Sequence, residues 1–285
     1  MVLRAAVAQI APNKGQTDFN LNRIASIIRQ AADEGAGLIC FPETCTTGYF
    51  LEGGVLEHAM TAEALAEAVG KRLTGAGAIE VVLGFYEKAE ATLYNSAAVL
   101  RWDGSACRVA SVYRKFFLPT YGVFDEERFV SAGRDLGVFE GSWGLGGLLI
   151  CEDIWHSILG TLLAVYGAQV VVVPSASPAR GFDGPTIGNL DRYSRMVRAV
   201  SEEHGVFTLN PMLVGFEGGK GFVGGSRIVD PMGQVLAEAP VGEEALIVAD
   251  LDLDLVAVAR TQAPLLADLK TAWSSLRSFV EDAPA

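Results

Sequence analysis

The sequence predicts an α/β fold in which β-sheets pack face to face and helices cover them on the outside. Apolar segments typical of strands alternate with amphipathic helical segments along much of the chain, as they do in layered α/β proteins. Within residues 80–113, however, three strands follow one another through short turns, which fits a doubly wound sheet or a (β/α)8 barrel less well. Because no linker or repeat divides the chain, we expect one domain over residues 1–285.

The N-terminal half of the chain contains two predicted helices and five predicted strands. Thr17 or Asp18 can cap a helix that runs to about residue 33, because the apolar residues after it recur at helical spacing. A second helix is predicted near residues 62–72. The strands are predicted at 2–9, 38–41, 80–87, 93–102 and 105–113.

The C-terminal half continues the mixture of helices and strands. A helix is predicted to begin near Asp153, and further helices cover 187–203 and 265–280. The almost wholly apolar stretch 159–176 is interrupted by Gln169 and Pro174, so we interpret it as a helix end and a buried strand, not as a membrane span. Strands are predicted at 136–140, 147–150, 169–173, 206–210, 226–229, 234–238 and 245–251.

The charge of the chain argues against nucleic acid and membrane surfaces as partners. The formal net charge is −12 and the sequence pI is near 4.7, so the surface repels phosphate backbones and anionic lipid headgroups. No cluster of lysine and arginine overrides this charge locally. The N-terminal segment lacks the pattern of a secretory signal, and we therefore expect a reducing cytoplasm.

The cysteines and histidines do not form a metal-binding pattern. Four cysteines at irregular spacing match neither a zinc site nor a disulfide scaffold. Only three histidines are available to add ligands. We therefore expect neither a metal nor another cofactor. The cysteines are Cys40, Cys45, Cys107 and Cys151, and the histidines are His58, His156 and His204.

Three apolar strands end abruptly in a reactive side chain. Residues 38–43 end in Glu43, residues 110–115 end in Lys115, and residues 147–151 end in Cys151. Because the ends of neighbouring strands converge in layered α/β folds, these side chains can meet. Each one alone has an ordinary interpretation, as a solvated carboxylate, a surface cation or a small buried thiol.

The residues after the cysteine strengthen the interpretation of Cys151 as a nucleophile. Glu152 and Asp153 are both charged, and Asp153 can cap the following helix. A cysteine at such a strand-to-helix turn exposes its sulfur to a ligand. The backbone N–H groups that follow it point at an anion.

Together these segments resemble the Glu, Lys and Cys motifs of the nitrilase superfamily of carbon–nitrogen hydrolases, in the order of that family and over nearly the whole chain. Tyr94-Asn-Ser96, Asn210, Gly225-Ser226 and Asp230-Pro-Met-Gly233 also match the family. Within the superfamily, residues 115–129 and 151–155 are similar to the glutaminase domain of glutamine-dependent NAD synthetase. The resemblance implies a four-layer αββα sandwich and a homodimer or higher homo-oligomer. In such a dimer the helix near residues 156–166 and the C-terminal segment would be the interface.

The resemblance also implies the roles of the site residues. Cys151 attacks an amide carbonyl, and Glu43 carries the proton from the thiol to the leaving ammonia and then activates water. Lys115 and the backbone N–H of Glu152 hold the oxyanion. Glu126 matches the additional Glu of the family and would keep Lys115 in place, although it could instead pair with Arg128 on the surface.

Three aromatic residues are candidates for the substrate pocket, although aromatic residues near a site more often serve packing. They are Tyr49, Tyr121 and Trp155. A Cys–His hydrolase using His156 is disfavoured, because five residues of chain leave little freedom to align the imidazole with Cys151.

The substrate class that follows is a small-molecule amide, cleaved through a Cys151 thioester with release of ammonia. No Ser-Gly-Gly-x-Asp-Ser phosphate loop occurs in the sequence, so we expect no NAD synthesis by this chain alone. Residues 211–223 match neither the glutaminase pattern nor another. N-carbamoyl-amide hydrolysis and nitrile hydrolysis remain alternatives. A further alternative is a subunit that supplies ammonia to a synthetase partner.

Overall fold

The computed structural model of the protein describes residues 1–184 and 186–284. Pro185 and Ala285, both inside the predicted 1–285 domain, lie outside the described residues. The helices are α1 Thr17–Asp33, α2 Val55–His58, α3 Ala62–Gly70, α4 Ser157–Val165, α5 Gly188–His204, α6 Asp254–Gln262 and α7 Leu265–Glu281, with short 3₁₀ turns at Glu52–Gly54, Glu126–Arg128 and Cys151–Trp155. The strands are β1 Val2–Gln9, β2 Leu38–Cys40, β3 Ile79–Ala89, β4 Thr92–Trp102, β5 Cys107–Arg114, β6 Val138–Gly141, β7 Gly144–Leu148, β8 Val170–Val172, β9 Phe182–Asp183, β10 Thr186–Ile187, β11 Phe207–Asn210, β12 Val214–Glu217, β13 Lys220–Val223, β14 Arg227–Val229, β15 Val235–Glu238 and β16 Ala245–Asp252.

Two six-stranded mixed sheets form the centre of the structure. The first has the strand order β16-β1-β2-β3-β4-β5, and its β1–β2 and β2–β3 pairs are parallel. The second has the order β15-β14-β11-β8-β7-β6, with parallel β7–β8 and β8–β11 pairs. Two smaller ribbons, β9–β10 and β12–β13, lie outside these sheets.

The side chains of β1 show how the first sheet separates two apolar layers. Successive side chains of a strand point to opposite faces, so alternate residues enter different layers. Ala5 and Val7 join the cluster that fills the space between the sheets, whereas Ala6 and Ala8 pack with the residues of α1 and α3. Helices therefore cover the outer face of the first sheet.

The second sheet is covered in the same way by α4 and α5. Leu163 of α4 and Val197 of α5 are fully buried in the cluster that also contains all three residues of β8, Val170–Val172. The layers consequently follow the order helices, sheet, sheet, helices. Truncating a fully buried side chain in such a core costs about 2–5 kcal/mol.

Most predicted elements agree with the structure, but several predictions were wrong or incomplete. The chain after Cys151 forms only a 3₁₀ turn, and α4 begins at Ser157. Asp153 does not cap α4, because its carboxylate accepts the backbone N–H of Ile150 instead. Helix α6 and the β12–β13 hairpin were not predicted. Helix α1 begins after Gln16, which makes no side-chain capping bond.

The apolar stretch 159–176 forms a helix end and a buried strand, as predicted. It consists of α4 and β8 joined by a turn at Tyr166–Gly167. Among the helices of residues 1–184 and 186–284, none is long and apolar enough to cross a membrane.

Candidate active site

The three predicted strand ends hold Glu43, Lys115 and Cys151. Glu43 follows β2 by three residues, Lys115 directly follows β5, and Cys151 follows β7 by three residues. The loop that carries Glu43 lies against β3 at Gly84, where an added Cβ would be 2.3 Å from the carbonyl oxygen of Pro42. Only a glycine allows this close approach, so the backbone of β3 helps to set the position of Glu43.

Lys115 lies between two buried carboxylates. Its Nζ donates to Oε1 of Glu43 and to Oε1 of Glu126, each at 2.7 Å. Lys115 and Glu43 are fully buried, and Glu126 is 6% exposed. Removing one member of such a buried charge group would leave the others uncompensated in a medium of low polarity.

The electrostatic balance keeps Lys115 protonated. Burial by itself lowers the pKa of the ammonium, but the charges of Glu126 and Glu43 outweigh burial, and the pKa lies well above its usual value. Burial raises the pKa of Glu126 from 4.5 to about 6, against the opposite effect of Lys115. Lys115 therefore stays a cation, next to a carboxyl group whose pKa is raised to about 6.

Glu43 is held by a donor on each side. Its Oε1 also accepts the side-chain amide of Asn95 at 2.7 Å, and its Oε2 accepts the backbone N–H of Ala176 at 2.8 Å. The carbonyl oxygen of Ala176 lies 3.9 Å from Sγ of Cys151. Ala176 thus contacts both residues, with its N–H group at the Glu43 carboxylate and its carbonyl oxygen near the Cys151 sulfur.

Cys151 occupies a backbone conformation that is uncommon for a residue with a side chain. Its φ is +49°, and the residue begins the 3₁₀ turn after β7. Sγ lies 3.1 Å from Oη of Tyr193, and the residue is 6% exposed. Burial and then the charge of Glu43 raise the pKa of the thiol well above its usual value, whereas Lys115 and Tyr193 act in the opposite direction. The resting side chain is therefore a neutral thiol.

Asp153 ties the turn of Cys151 to the segment after Lys115. Its fully buried carboxylate accepts the backbone N–H of Ile150 at 3.0 Å and of Phe117 at 2.9 Å, together with the hydroxyl of Tyr113 at 2.8 Å. Burial raises the pKa of Asp153 from 3.8 to about 6. Asp153 therefore joins two loops, whereas the sequence analysis predicted that it would cap a helix.

The remaining predicted residues lie at two places around this cluster. Tyr49 is buried, and its hydroxyl donates to Oε1 of Glu126, so it contacts the lysine's partner. Tyr121 is 45% exposed, and its hydroxyl donates to the Glu152 carboxylate at 2.8 Å. Trp155 packs edge-on against Tyr193, with a centroid distance of 5.6 Å. Among described residues, the backbone N–H of Glu152 donates to no other protein atom.

Two cavities open beside the site. One of about 290 Å³ is lined by Tyr49, Phe124 and Glu126 among others. Another of about 570 Å³ is lined by Tyr121, Trp155 and Arg180 among others. The guanidinium of Arg180 lies over the rings of Tyr121 and Phe124, with distances of 5.9 and 5.0 Å to their centroids. The Arg180 cation and the Glu152 carboxylate thus both lie close to Tyr121.

The sequence analysis assigned no role to three residues at or near this cluster. Asn95 belongs to the Tyr94-Asn-Ser96 segment, which matched the family as a segment without a role for Asn95 itself. Tyr193 lies on α5 among charged residues, and nothing in its neighbourhood distinguishes it from an ordinary packing residue. Glu217 lies in the hairpin whose sequence matched no pattern, although Glu217-Gly-Gly-Lys220 is typical of a two-residue hairpin turn.

Comparisons with known proteins agree with the fold. The family described as carbon-nitrogen hydrolase matches residues 4–261. The glutamine-dependent NAD(+) synthetase of Thermotoga maritima is 32% identical over 254 residues, which are 88% of this chain and 42% of that protein. The (R)-stereoselective amidase of a Pseudomonas species is 33% identical over 278 residues, 93% of this chain and 91% of the amidase.

A solved amidase structure has a similar fold. An amidase variant from Nesterenkonia sp. AN1, which shows acrylamide added at its active-site cysteine, has a TM-score of 0.72 at 26% identity, over 95% of this chain and 99% of that one. The predicted four-layer αββα sandwich is confirmed, and it contains two mixed six-stranded sheets. This chain spans less than half the length of the NAD synthetase relative. The protein belongs to the carbon–nitrogen hydrolase family of the nitrilase superfamily, whose enzymes act on carbon–nitrogen bonds other than peptide bonds.

Proposed function

We propose that the protein is a thiol-dependent amidase that uses Cys151 as nucleophile, Glu43 as proton carrier and Lys115 as an electrostatic partner. The observation that carries the proposal is the buried Lys115, which Glu43 and Glu126 each hold at 2.7 Å. Glu43 is joined to the cysteine turn through Ala176. A buried cation with two carboxylates beside a thiol offers a proton acceptor, a positive charge and a nucleophile in one place.

The first step forms a thioester. Because the resting thiol is neutral, Cys151 transfers its proton to Glu43 as the sulfur attacks the amide carbonyl carbon. The carbonyl π electrons move to the oxygen, and the oxyanion is held by the Lys115 ammonium and the backbone N–H of Glu152. The oxyanion then re-forms the carbonyl, the carbon–nitrogen bond breaks, and the leaving nitrogen takes the proton from Glu43 as ammonia departs.

The second step releases the acid. Glu43, again ionised, takes a proton from water as the water oxygen attacks the thioester carbonyl. The second tetrahedral oxyanion uses the same two donors. When it collapses, the carbon–sulfur bond breaks, and the thiolate of Cys151 recovers the proton from Glu43. Lys115 stays charged throughout, which suits a group that stabilises negative charge without transferring a proton.

The wall of the site favours an amide that carries charged groups of its own. The Glu152 carboxylate and the Arg180 guanidinium both lie close to Tyr121, so an amine and a carboxylate of one substrate could each find an opposite charge. Glutamine has both groups beside its side-chain amide. We therefore place glutamine-like amides ahead of N-carbamoyl amides and nitriles as substrates.

A second candidate is a glutaminase subunit that passes its ammonia to a synthetase partner. It is supported by the 32% identity to the Thermotoga maritima NAD(+) synthetase over 88% of this chain. Activity on free glutamine without any partner would favour the free-standing amidase. Activity that appears only with an ATP-using partner would favour the subunit.

The deciding experiment measures ammonia release from glutamine, asparagine, short aliphatic amides, N-carbamoyl amino acids and simple nitriles. The Cys151→Ala variant should abolish release, whereas Cys107→Ala should retain it, because Cys107 lies on β5 away from the cluster. Mass spectrometry of the protein quenched during turnover should show an acyl adduct on the peptide that contains Cys151. Release that persists in Cys151→Ala would contradict the proposal.

We also propose that two copies of the chain associate through α4 and α7. These neighbouring helices expose large apolar side chains, including Ile158 at 49%, Phe279 at 69% and Val280 at 71%. Exposed apolar area of this kind favours association. Light scattering on the purified protein should give twice the chain mass of 30.2 kDa, and Phe279→Glu with Val280→Glu should shift it towards one copy.

A further inference from the structure

Glu217 is a buried carboxylate in a part of the chain whose sequence matched no pattern. It ends β12, and the turn Gly218–Gly219, with φ of +55° and +78°, returns the chain into β13. Both turn residues thus adopt the left-handed conformation that two-residue hairpins require. Glu217 is 3% exposed, whereas its neighbour Phe216 is 86% exposed. The hairpin therefore directs this one charged side chain inwards.

The Glu217 carboxylate holds the loop that carries Tyr49. Its Oε2 accepts the backbone N–H of Tyr49 at 2.8 Å and that of Phe50 at 3.0 Å. Its Oε1 is buried and has no hydrogen-bond partner among described residues. Gly48 makes room for the carboxylate, since a Cβ on this residue would be 2.9 Å from Oε1. Burial raises the pKa of Glu217.

Tyr49 transmits this contact to the catalytic cluster. Its backbone is fixed on the carbonyl side as well, because the Tyr86 hydroxyl donates to the Tyr49 carbonyl oxygen at 2.6 Å. The Tyr49 hydroxyl then donates to Oε1 of Glu126, the same oxygen that accepts Nζ of Lys115. An unbroken series of contacts therefore runs from Glu217 through Tyr49 and Glu126 to Lys115.

We propose that Glu217 is a positioning residue of the amidase, acting through Tyr49 to hold Glu126 where it fixes Lys115. The inference rests on the proposed function, because it assigns Lys115 to the oxyanion. Small displacements of a group that stabilises a transition state lower the rate of the chemical step more than substrate binding. Loss of the Glu217 contact should therefore lower kcat and leave KM nearly unchanged.

Three substitutions separate positioning from simple support of the fold. Glu217→Ala removes the acceptor, and Glu217→Asp keeps the charge but withdraws it from the two N–H groups by one methylene. Glu217→Gln keeps an acceptor oxygen in place. We expect kcat per folded molecule to fall by about 10-fold to 100-fold in Ala and Asp, and to stay within about 3-fold in Gln. Circular dichroism gives the folded fraction.

Glu80 provides a matched control. It is 6% exposed, its Oε1 accepts a backbone N–H from Ser142 and the guanidinium of Arg101, and its Oε2 has no partner among the described atoms. Its hydrogen bonds to described residues go to Arg101 and Ser142, and neither Tyr49 nor Glu126 is among its partners. Glu80→Ala and Glu80→Asp should reduce stability and leave kcat per folded molecule unchanged.

A double-mutant cycle with Tyr49→Phe tests the route of the effect. Tyr49→Phe removes the hydroxyl that reaches Glu126, so Glu217→Asp should add little further loss of kcat in that background. Independent, multiplicative losses would overturn the proposal, and so would a Glu217→Asp enzyme with the wild-type kcat. If Cys151→Ala abolishes the activity but the Glu217 variants do not behave as expected, only the role of Glu217 is refuted. If the wild-type protein releases no ammonia from any substrate, the proposed function itself fails.

Discussion

The backbone N–H of Phe117 donates to Oδ1 of Asp153 at 2.9 Å, which fastens the segment after Lys115 to the turn that begins at Cys151. The lysine and the cysteine come from different sheets, because β5 is an edge strand of the first sheet and β7 lies in the second. Their relative position therefore depends on contacts between sheets. Asp153 is one such contact, and it is fully buried.

Asp153→Ala should reduce both stability and activity. It leaves the backbone N–H groups of Ile150 and Phe117 without their acceptor, and each unsatisfied buried group costs about 1–3 kcal/mol. We expect the free energy of unfolding to fall by about 3 kcal/mol and kcat by at least about 10-fold. Urea unfolding and steady-state kinetics measure the two effects.

Asp103→Ala is the matched control for that substitution. Asp103 also accepts two backbone N–H groups, from Ser105 and Ala106, but in an exposed turn where water can replace it. Its kcat should equal that of the wild type. An Asp153→Ala enzyme with unchanged kcat would contradict a role of Asp153 in aligning the two turns.

Activity should fall as the pH is lowered through about 6. The pKa of Glu126 is raised to about 6, so below this value the carboxyl becomes protonated and no longer balances Lys115. Glu126→Gln should be less active near neutral pH. Its activity should also decrease less than that of the wild type as the pH is lowered through about 6. Profiles of kcat/KM from about pH 5 to 8 for both proteins test this expectation, and identical profiles would contradict it.

The same group should make stability depend on pH. Its folded pKa of about 6 lies above the ordinary 4.5, so the folded protein binds this proton more tightly than the unfolded chain does. The contribution is fully present below pH 4.5 and is lost as the pH rises through 6. Urea unfolding across this window should show a smaller decrease for Glu126→Gln than for the wild type. Equal decreases would rule out Glu126 as the source.

Tyr193→Phe should make the Cys151 thiol less acidic. The Tyr193 hydroxyl lies 3.1 Å from Sγ and lowers the pKa of the thiol. Without this hydroxyl, the increase in pKa that burial causes should be larger. The rate of alkylation of Cys151 by iodoacetamide rises with pH as the thiol ionises, and the midpoint of this pH dependence should move to higher pH in the variant. At every pH below that midpoint the variant should react more slowly than the wild type. Mass spectrometry of the Cys151 peptide separates this reaction from that of the other cysteines. An unchanged midpoint would show that the tyrosine contact is only packing.

Gly84→Ala should misplace Glu43. The added methyl would meet the Pro42 carbonyl oxygen at 2.3 Å, so the loop that carries the carboxylate must move. We expect a loss of about 1–3 kcal/mol in unfolding free energy and a larger loss of kcat than of stability. Gly53→Ala, where an added Cβ meets no atom within 4 Å, is the control and should behave as the wild type. A fully active Gly84→Ala enzyme would contradict this argument.

The sequence predicted the residues of the cluster better than the contacts that hold them. Glu43, Lys115 and Cys151 each follow an apolar strand, and that pattern is local enough to recognise. The contact between Glu217 and Tyr49 joins residues 168 positions apart, so nothing near either residue indicates it. Tyr193 looks like any aromatic residue on an amphipathic helix until α5 packs against the cysteine turn.

The φ of +49° at Cys151 places the proposed nucleophile in a backbone conformation that opposes folding. A side chain in the left-handed region costs about 1 kcal/mol or more, and only glycine escapes this cost. Cys151→Gly should therefore unfold at a higher denaturant concentration than Cys151→Ala, although both lack the sulfur. If so, the residue that we propose as the nucleophile lowers the stability of the fold, and a substitution that restores this stability removes the sulfur that the proposed reaction needs.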